Sequence, residues 1–469
     1  MAKNTKNTKG AKKARTAKKA SEAQVPKRTQ NNQQKTWQYF VRLVIIILLV
    51  LALGGSLCFG IIGSAYSLPL QTEARQGDVV DGQPAQVYEA VADGLPYVEA
   101  PKAALCTKEG RILFERNIDE QVTMASTTKM MTAIVALEST ALDTPLTVTY
   151  GAANTDGTDA GLEEGMTLSL LDCLYALLLP SGNDAAVVIA ENIADMEGRF
   201  VQLMNDKAAE LGMASTLYAD ASGLSVENHY TTARDYLALA RYCMGNSTFR
   251  QIVATSSYQA DIGGRILTFA TTDELDVYLT EGQAIGIKTG YTDEAGYCFI
   301  GAADAGGIEL YTVVFNAPTA EQRFIDTADM LEWGFRHYRT IELINTSQQV
   351  ADIALLSWID ETVAAYVPVA VRVEIFDLKG AISQEITTTD IEGEASKGQI
   401  CGKIIWSQGE EVLIASDVVV AQTVLAPDFW EGLGIGWQRF WGGFSGSPSH
   451  AETAILLQNR LEVPAAQST

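Results

Sequence analysis

The apolar and polar positions divide the chain into stretches of different period. Residues 41–62 are almost wholly apolar apart from Arg42, and no further charge follows before Glu73. A run of about 20 such residues is long enough to cross a bilayer as a helix, so 41–62 is predicted to be a transmembrane signal anchor. Residues 103–114 carry two apolar runs around Lys108-Glu109-Gly110, the pattern of a hairpin. Apolar runs from Ser126 onward, over 168–179 and over 185–211 predict helices, the second stopped by Pro180, and a further helix is predicted near 319–337. Over 344–424 the period changes: short runs rich in Val, Ile and Thr alternate with turns such as Asp377-Leu378-Lys379-Gly380, which predicts an all-β sandwich. Finally, Trp430, Leu433, Trp437, Phe440, Trp441 and Phe444 fall near helical spacing behind Asp428 as a cap. That segment reads as an aromatic amphipathic helix that docks on a membrane or a partner. Its five glycines and single cation, Arg439, set it apart from cation-rich interfacial helices.

Charge sharpens this division. The 469 residues carry a formal net charge of −23, but residues 1–40 hold eleven Lys/Arg against one acid, Glu22, leaving about −33 on the remainder. An acidic body argues against nucleic acid as its partner. The Lys-, Ala- and Asn-rich tail has no apolar period and is predicted to be disordered. By the positive-inside rule it stays cytoplasmic while everything beyond the anchor is extracytoplasmic, giving a single-pass protein of the cell membrane. The expected organisation is a basic tail (1–40), the anchor (41–62), a linker (63–87), a first globular domain (88–340), a β-sandwich (341–425) and the aromatic segment (426–469).

Six cysteines, Cys58, Cys106, Cys173, Cys243, Cys298 and Cys401, are scattered singly, without the paired spacing of a zinc site. Most sit in apolar runs and read as small buried hydrophobes. The histidines His229, His337 and His450 are too few and too far apart for a metal centre; His229 reads first as a surface or helix-capping residue and second as one that orients a site loop.

The chemistry concentrates in three short motifs. Ser126 and Lys129 stand one helical turn apart, so a lysine amine can reach a serine hydroxyl. A serine is a weak nucleophile until a base neutral near pH 7 takes its proton, and a desolvated lysine beside another cation can be that base. Ser-x-x-Lys alone arises by chance in most long chains. Here it is followed by Ser181-Gly182-Asn183 in a Pro/Gly turn and by Lys288-Thr289-Gly290-Tyr291, the order and rough separation seen in penicillin-binding proteins and serine β-lactamases.

The flanking sequence is more specific. Phe200-Val201-Gln202-Leu203-Met204-Asn205 leading to Leu211-Gly212-Met213, and Gly223-Leu224 leading to His229-Tyr230-Thr231-Thr232-Ala233-Arg234-Asp235, resemble the D-alanyl-D-alanine carboxypeptidases, the low-molecular-mass penicillin-binding proteins. The resemblance covers roughly 88–340. It implies an α/β (α+β) penicillin-binding/β-lactamase-like catalytic domain with an antiparallel sheet and a helical subdomain, followed by a small all-β domain. It also implies Ser126 as nucleophile, Lys129 as base and Ser181 as proton relay, with Asn183, Lys288, Thr289, Gly290 and Tyr291 binding substrate. The amides of Ser126 and Tyr291 would form the oxyanion hole. The implied partners are peptidoglycan stem peptides, with β-lactams as inhibitors, and no metal or organic cofactor is required. The loop before Lys288, Thr272-Asp273-Glu274-Leu275, departs from the Asn/Arg-containing loop of similar members, and no contact is assigned to it. The alternatives are a β-lactamase, for which no Glu-x-x-Leu-Asn run lies between Asn183 and Lys288, a transpeptidase, and a peptidoglycan-binding pseudoenzyme.

Overall fold

Two strands that bury both faces set the architecture. In the Lys102–Thr107 strand, Ala103 and Leu105 enter one core while Ala104 and Cys106 enter another, so the strand reads as a continuous apolar run. The Ile308–Ala317 strand alternates in the same way, with Leu310 and Val314 on one side and Tyr311, Val313 and Phe315 on the other. A computed structural model describes residues 74–75, 77–88, 94–224 and 227–463 of the chain, all within one unit, residues 69–469.

The central sheet contains β1 (Asp78–Val80), β2 (Gln83–Pro84), β3 (Lys102–Thr107), β4 (Ile112–Arg116), β5 (Gln283–Thr292), β6 (Gly296–Ala305) and β7 (Ile308–Ala317). Its order is β2-β1-β4-β3-β7-β6-β5, with every ladder antiparallel. Between β4 and β5 the chain makes the helical part: α1 (Lys129–Ser139), α2 (Leu170–Leu178), α3 (Asn183–Ala194), α4 (Glu197–Glu210) and α5 (Ala233–Gly245). These helices share their core with one face of the sheet, and α6 (Ala320–His337) covers the other through Phe324, Leu331 and Trp333. This is the penicillin-binding type of α/β fold.

Two expectations change here. Part of the expected linker, 63–87, is structured: β1 pairs with β4, and the buried Arg116 guanidinium grips Asp78 through two nitrogens at 2.5 and 3.0 Å. A strand of three residues has too little period to read from sequence. The expected continuous helix over 185–211 is two helices, because Asp195 takes a left-handed conformation (φ 62°) and ends α3.

The β region follows α6 directly. Strands β8 (Tyr338–Ile344) and β11 (Val371–Phe376) form a two-stranded sheet. A seven-stranded sheet contains β9 (Gln349–Ala354), β10 (Thr362–Tyr366), β12 (Ile382–Thr388), β13 (Ile400–Gln408) and β14 (Glu411–Val420). Residues of both sheets, among them Ile344, Val373, Ile353 and Trp406, close on one core.

The C-terminal segment is more than an aromatic helix. α7 (Phe429–Ser445) begins at a capping box formed by Asp428 and Glu431. Beyond it the chain returns: β15 (Ala454–Ile455) pairs with β9 and β16 (Arg460–Leu461) pairs with β12, closing the seven-stranded sheet at both edges. Arg439 is turned inward to the carbonyls of Leu356, Trp358 and Ser449. Trp430, Trp437, Trp441 and Phe444 are each more than half exposed. Among the described residues no helix is long and apolar enough to cross a membrane; the predicted anchor, 41–62, lies outside the described residues.

Candidate active site

Ser126 lies in a 3₁₀ turn, Ala125–Thr128, that leads into α1. In a 3₁₀ turn residues three apart eclipse one another, so Ser126 and Lys129 share a face more closely than α geometry would give. The turn is held by the Thr127 amide and hydroxyl, both donating to the Met124 carbonyl, and by Ala125 in a left-handed conformation (φ 47°). The Lys129 side chain is fully buried. Its Nζ stands 2.7 Å from Ser126 Oγ, 2.6 Å from Asn183 Oδ1 and 2.8 Å from the Ser222 carbonyl. Burial pushes the amine down to about 7, against the opposing pull of Asp220 and Asp184. A neutral amine donates to Asn183 and Ser222 and offers its lone pair to the Ser126 hydroxyl proton.

Proline ends α2, and the turn that follows presents the second motif. Ser181 takes a left-handed conformation (φ 68°) and is nearly buried, and Asn183 opens α3. Gly182 is required by space: a Cβ there would lie 2.9 Å from the Ala176 carbonyl and 2.7 Å from the Ala160 methyl. Asn183 bridges two elements, its oxygen on Lys129 and its nitrogen on the Asp156 carbonyl at 2.7 Å. Its neighbour Asp184 accepts from the Ala160, Leu162 and Ala185 amides, which fastens the 156–162 loop beside the site. Burial raises the Asp184 carboxyl to about 6.

The third motif lies on β5. Lys288 and Thr289 are buried, and Gly290 passes so close to the serine turn that an added Cβ would meet Thr127 N at 3.1 Å and Ser126 N at 3.2 Å. A side chain at 290 would drive the strand off the nucleophile. Lys288 Nζ donates to the Thr289 carbonyl at 3.0 Å; burial, then repulsion from Lys129 whenever that amine is protonated and from Arg323, hold its pKa well below the ordinary range. An anion arriving between Lys288 and Thr289 reverses that cost by supplying a counter-charge. Tyr291 is half exposed, packs its ring at a tilt against Tyr297 and donates to Asp293.

Several contributors carry no sequence motif. Ser222 supplies a carbonyl to Lys129, and Gly223 (φ +91°) lies against the Ala125 carbonyl. Arg323 of α6 reaches behind Gly290, its guanidinium over the Tyr297 and Phe324 rings and its Nε buried with no hydrogen-bond partner among the described residues. Thr272, left unassigned in the sequence, is hydrogen-bonded to Thr289. His229 is not at the surface: it is buried, accepts the Ala219 amide on Nδ1 and therefore donates from Nε2 to Thr128, with burial holding its pKa down. Cys106, Cys173, Cys243, Cys298 and Cys401 are all free and buried.

A serine hydroxyl on a buried, near-neutral amine, faced by a strand that carries Lys288 and is backed by Arg323 of α6, defines a serine acyl-transfer enzyme of the Ser-x-x-Lys type. A family profile described as D-alanyl-D-alanine carboxypeptidase matches residues 90–319. The chain is 29% identical over 343 residues to the D-alanyl-D-alanine carboxypeptidase DacF of Bacillus subtilis, covering 71% of this chain and 87% of that one. It is 32% identical over 242 residues to the D-alanyl-D-alanine carboxypeptidase of Streptomyces sp. strain K15, covering 48% and 83%. The crystal structure of the D-alanyl-D-alanine carboxypeptidase DacD from Francisella tularensis shares the fold, with a TM-score of 0.52 and 22% identity over 71% of this chain and 95% of that one. The chain belongs to the D-alanyl-D-alanine carboxypeptidase family of serine peptidases.

Proposed function

We propose that this enzyme removes the terminal D-alanine from peptidoglycan stem pentapeptides through an acyl-enzyme on Ser126, and that β-lactams inhibit it by acylating the same oxygen. The observation that carries the reading is the Lys129–Ser126 contact, made by an amine whose pKa burial brings down to about 7.

In this reading neutral Lys129 takes the Ser126 proton as the oxygen attacks the carbonyl between the two D-alanines. The Ser126 and Tyr291 amides receive the developing oxyanion, an interaction worth about 3 kcal/mol per donor in acyl-transfer enzymes. Ser181 passes a proton to the leaving amine. Asn183 holds Lys129 and the substrate backbone, and Lys288 with Thr289 binds the terminal carboxylate, Arg323 adding charge behind the strand. Water then releases the shortened peptide. Gly290 contributes no side chain, which lets β5 lie against the nucleophile.

The enzyme is held at the cell membrane by 41–62, with the tail 1–40 cytoplasmic and the catalytic part outside, where its substrate is. The strongly basic tail beside an apolar run whose one charge is Arg42 supports that topology. Incubating residues 67–469 with a synthetic stem pentapeptide and weighing the products tests the activity. Loss of one alanine is the expected result, and an unchanged pentapeptide overturns it.

A further inference from the structure

The 271–275 segment is pinned although it lies at the surface. Thr271 N donates to the Ser256 carbonyl, Thr272 N to the Leu179 carbonyl, Asp273 N to Thr271 Oγ1, and Leu275 N to Asp273 Oδ1. Leu275 is fully buried beneath the segment. The Thr272 hydroxyl is therefore set in place, 2.6 Å from the Thr289 hydroxyl.

The donors of this pair outnumber the acceptors it meets among the described residues. Two hydroxyls so close share one proton between them, and among the described residues the other proton has no protein acceptor. The Lys288 amine, with the Thr289 carbonyl as its acceptor among the described residues, likewise has donor capacity left over. Thr289 is almost buried while Thr272 is exposed, so the Thr272 oxygen can accept from water and its proton is free to go to Thr289. Thr289 then keeps its own proton for a ligand that reaches the strand carrying Lys288. In the opposite arrangement Thr289 would present only lone pairs there, which a carboxylate repels.

We infer that Thr272 is a positioning residue for substrate selection: by donating to Thr289 Oγ1 it fixes Thr289 as a donor, so that the site accepts a free terminal carboxylate and rejects its amide. This rests on the reading of Lys288 and Thr289 as the carboxylate site. An amide places its own N–H groups against Lys288 and the Thr289 proton, leaving donors facing donors. The selection falls on uncross-linked, unamidated chain ends.

The test compares an acyl-D-Ala-D-Ala peptide with its C-terminal amide, by calorimetric binding to the Ser126→Ala protein and by turnover with Ser126 present, for Thr272, Thr272→Val and Thr272→Ser. Valine is expected to weaken binding of the acid roughly tenfold, the lower end for a hydrogen bond to a charged group, while changing the amide less than about twofold. KM for the acid rises, kcat stays near that of the parent, and serine restores the preference. An acid-to-amide ratio unchanged by valine, a serine variant as poor as valine, equal losses for both ligands, or no preference in the parent overturns the inference. If the parent releases no alanine while the binding preference still follows Thr272, the hydrolytic reading falls and this one stands.

Discussion

Lys129 Nζ and Ser126 Oγ are 2.7 Å apart in a pocket where the other two hydrogen-bond partners of the amine, Asn183 and the Ser222 carbonyl, are also neutral. A buried lysine whose hydrogen-bond partners among the described residues are all neutral gains little from being charged, even with Asp220 and Asp184 pulling the other way, which is the condition a base for serine requires. The pair is complete without substrate.

Replacing Ser126 by alanine removes one half-buried hydroxyl and leaves the turn at Met124 to Thr128 intact. A fluorescent penicillin should label the parent and not the variant, with the melting temperature nearly unchanged. Undiminished labelling of Ser126→Ala would remove Ser126 as the nucleophile.

Lys129→Arg keeps the charge and loses the base, because a guanidinium does not give up its proton in a protein. Acylation should slow by about 10²–10⁴-fold, the range for losing a general base. Lys288→Arg, which keeps a cation for a carboxylate, should lose far less. Equal rates at pH 7 in the two variants would reverse the roles of the lysines.

The acylation rate should climb with pH up to about 7 and then level, since only unprotonated Lys129 accepts the serine proton. Stability follows the same group with a definite sign. Its folded pKa lies below the unfolded value of about 10.4, so between pH 7 and 10 the unfolded chain holds a proton the folded site lacks, and raising the pH stabilises the fold. Below about 7 both states are protonated and this contribution stops changing. Stopped-flow penicillin acylation from pH 5 to 9 checks the first part; a flat profile would sink it. Asp184 titrates near 6 beside the site, so the same series on Asp184→Asn separates the two groups.

Gly223→Ala should be among the most damaging single-methyl changes. The backbone there is left-handed, and the new Cβ would collide with the Ala125 carbonyl, one residue before the nucleophile. Strain and overpacking together amount to about 3 kcal/mol or more. Thermal unfolding and penicillin labelling should both fall, because relieving the clash moves the Ser222 carbonyl away from Lys129. A fully active, equally stable variant would contradict the packing described.

Supplying residues 67–469 with a cleavable signal tests both attachments. With residues 1–66 removed, the aromatic face of α7 should still hold part of the enzyme to lipid vesicles, and replacing Trp430, Trp437 and Trp441 by serine should release it. Complete solubility with the tryptophans intact would assign that face to a protein partner instead.

What was legible in the sequence was what is local. Ser126 with Lys129, Ser181 with Asn183, and Lys288 with Thr289 each sit within one turn or strand, so they showed as short motifs whose roles the family resemblance then implied, and the hairpin of β3 and β4 read from its two apolar runs. What the sequence hid depends on distant chain. Ser222 acts through a carbonyl that every residue owns, Arg323 arrives from a helix 35 residues past Lys288, and Thr272 acquires meaning only when its loop folds over β5. β15 and β16, two residues each, are too short to show a period and exist because sheet edges recruit them.

Those two short strands give α7 an unusual mechanical character. β14 leads into the helix and β15 with β16 takes the chain back into the same sheet, while Arg439 is hooked to carbonyls at Leu356 and Trp358. The helix is thus a handle fastened at both ends, not a trailing tail. It cannot plunge end-first into anything; whatever surface receives its tryptophans receives them broadside. A pull on that handle is shared with the closing strands of the β region, so tugging it loose and unravelling the sheet edges are one event.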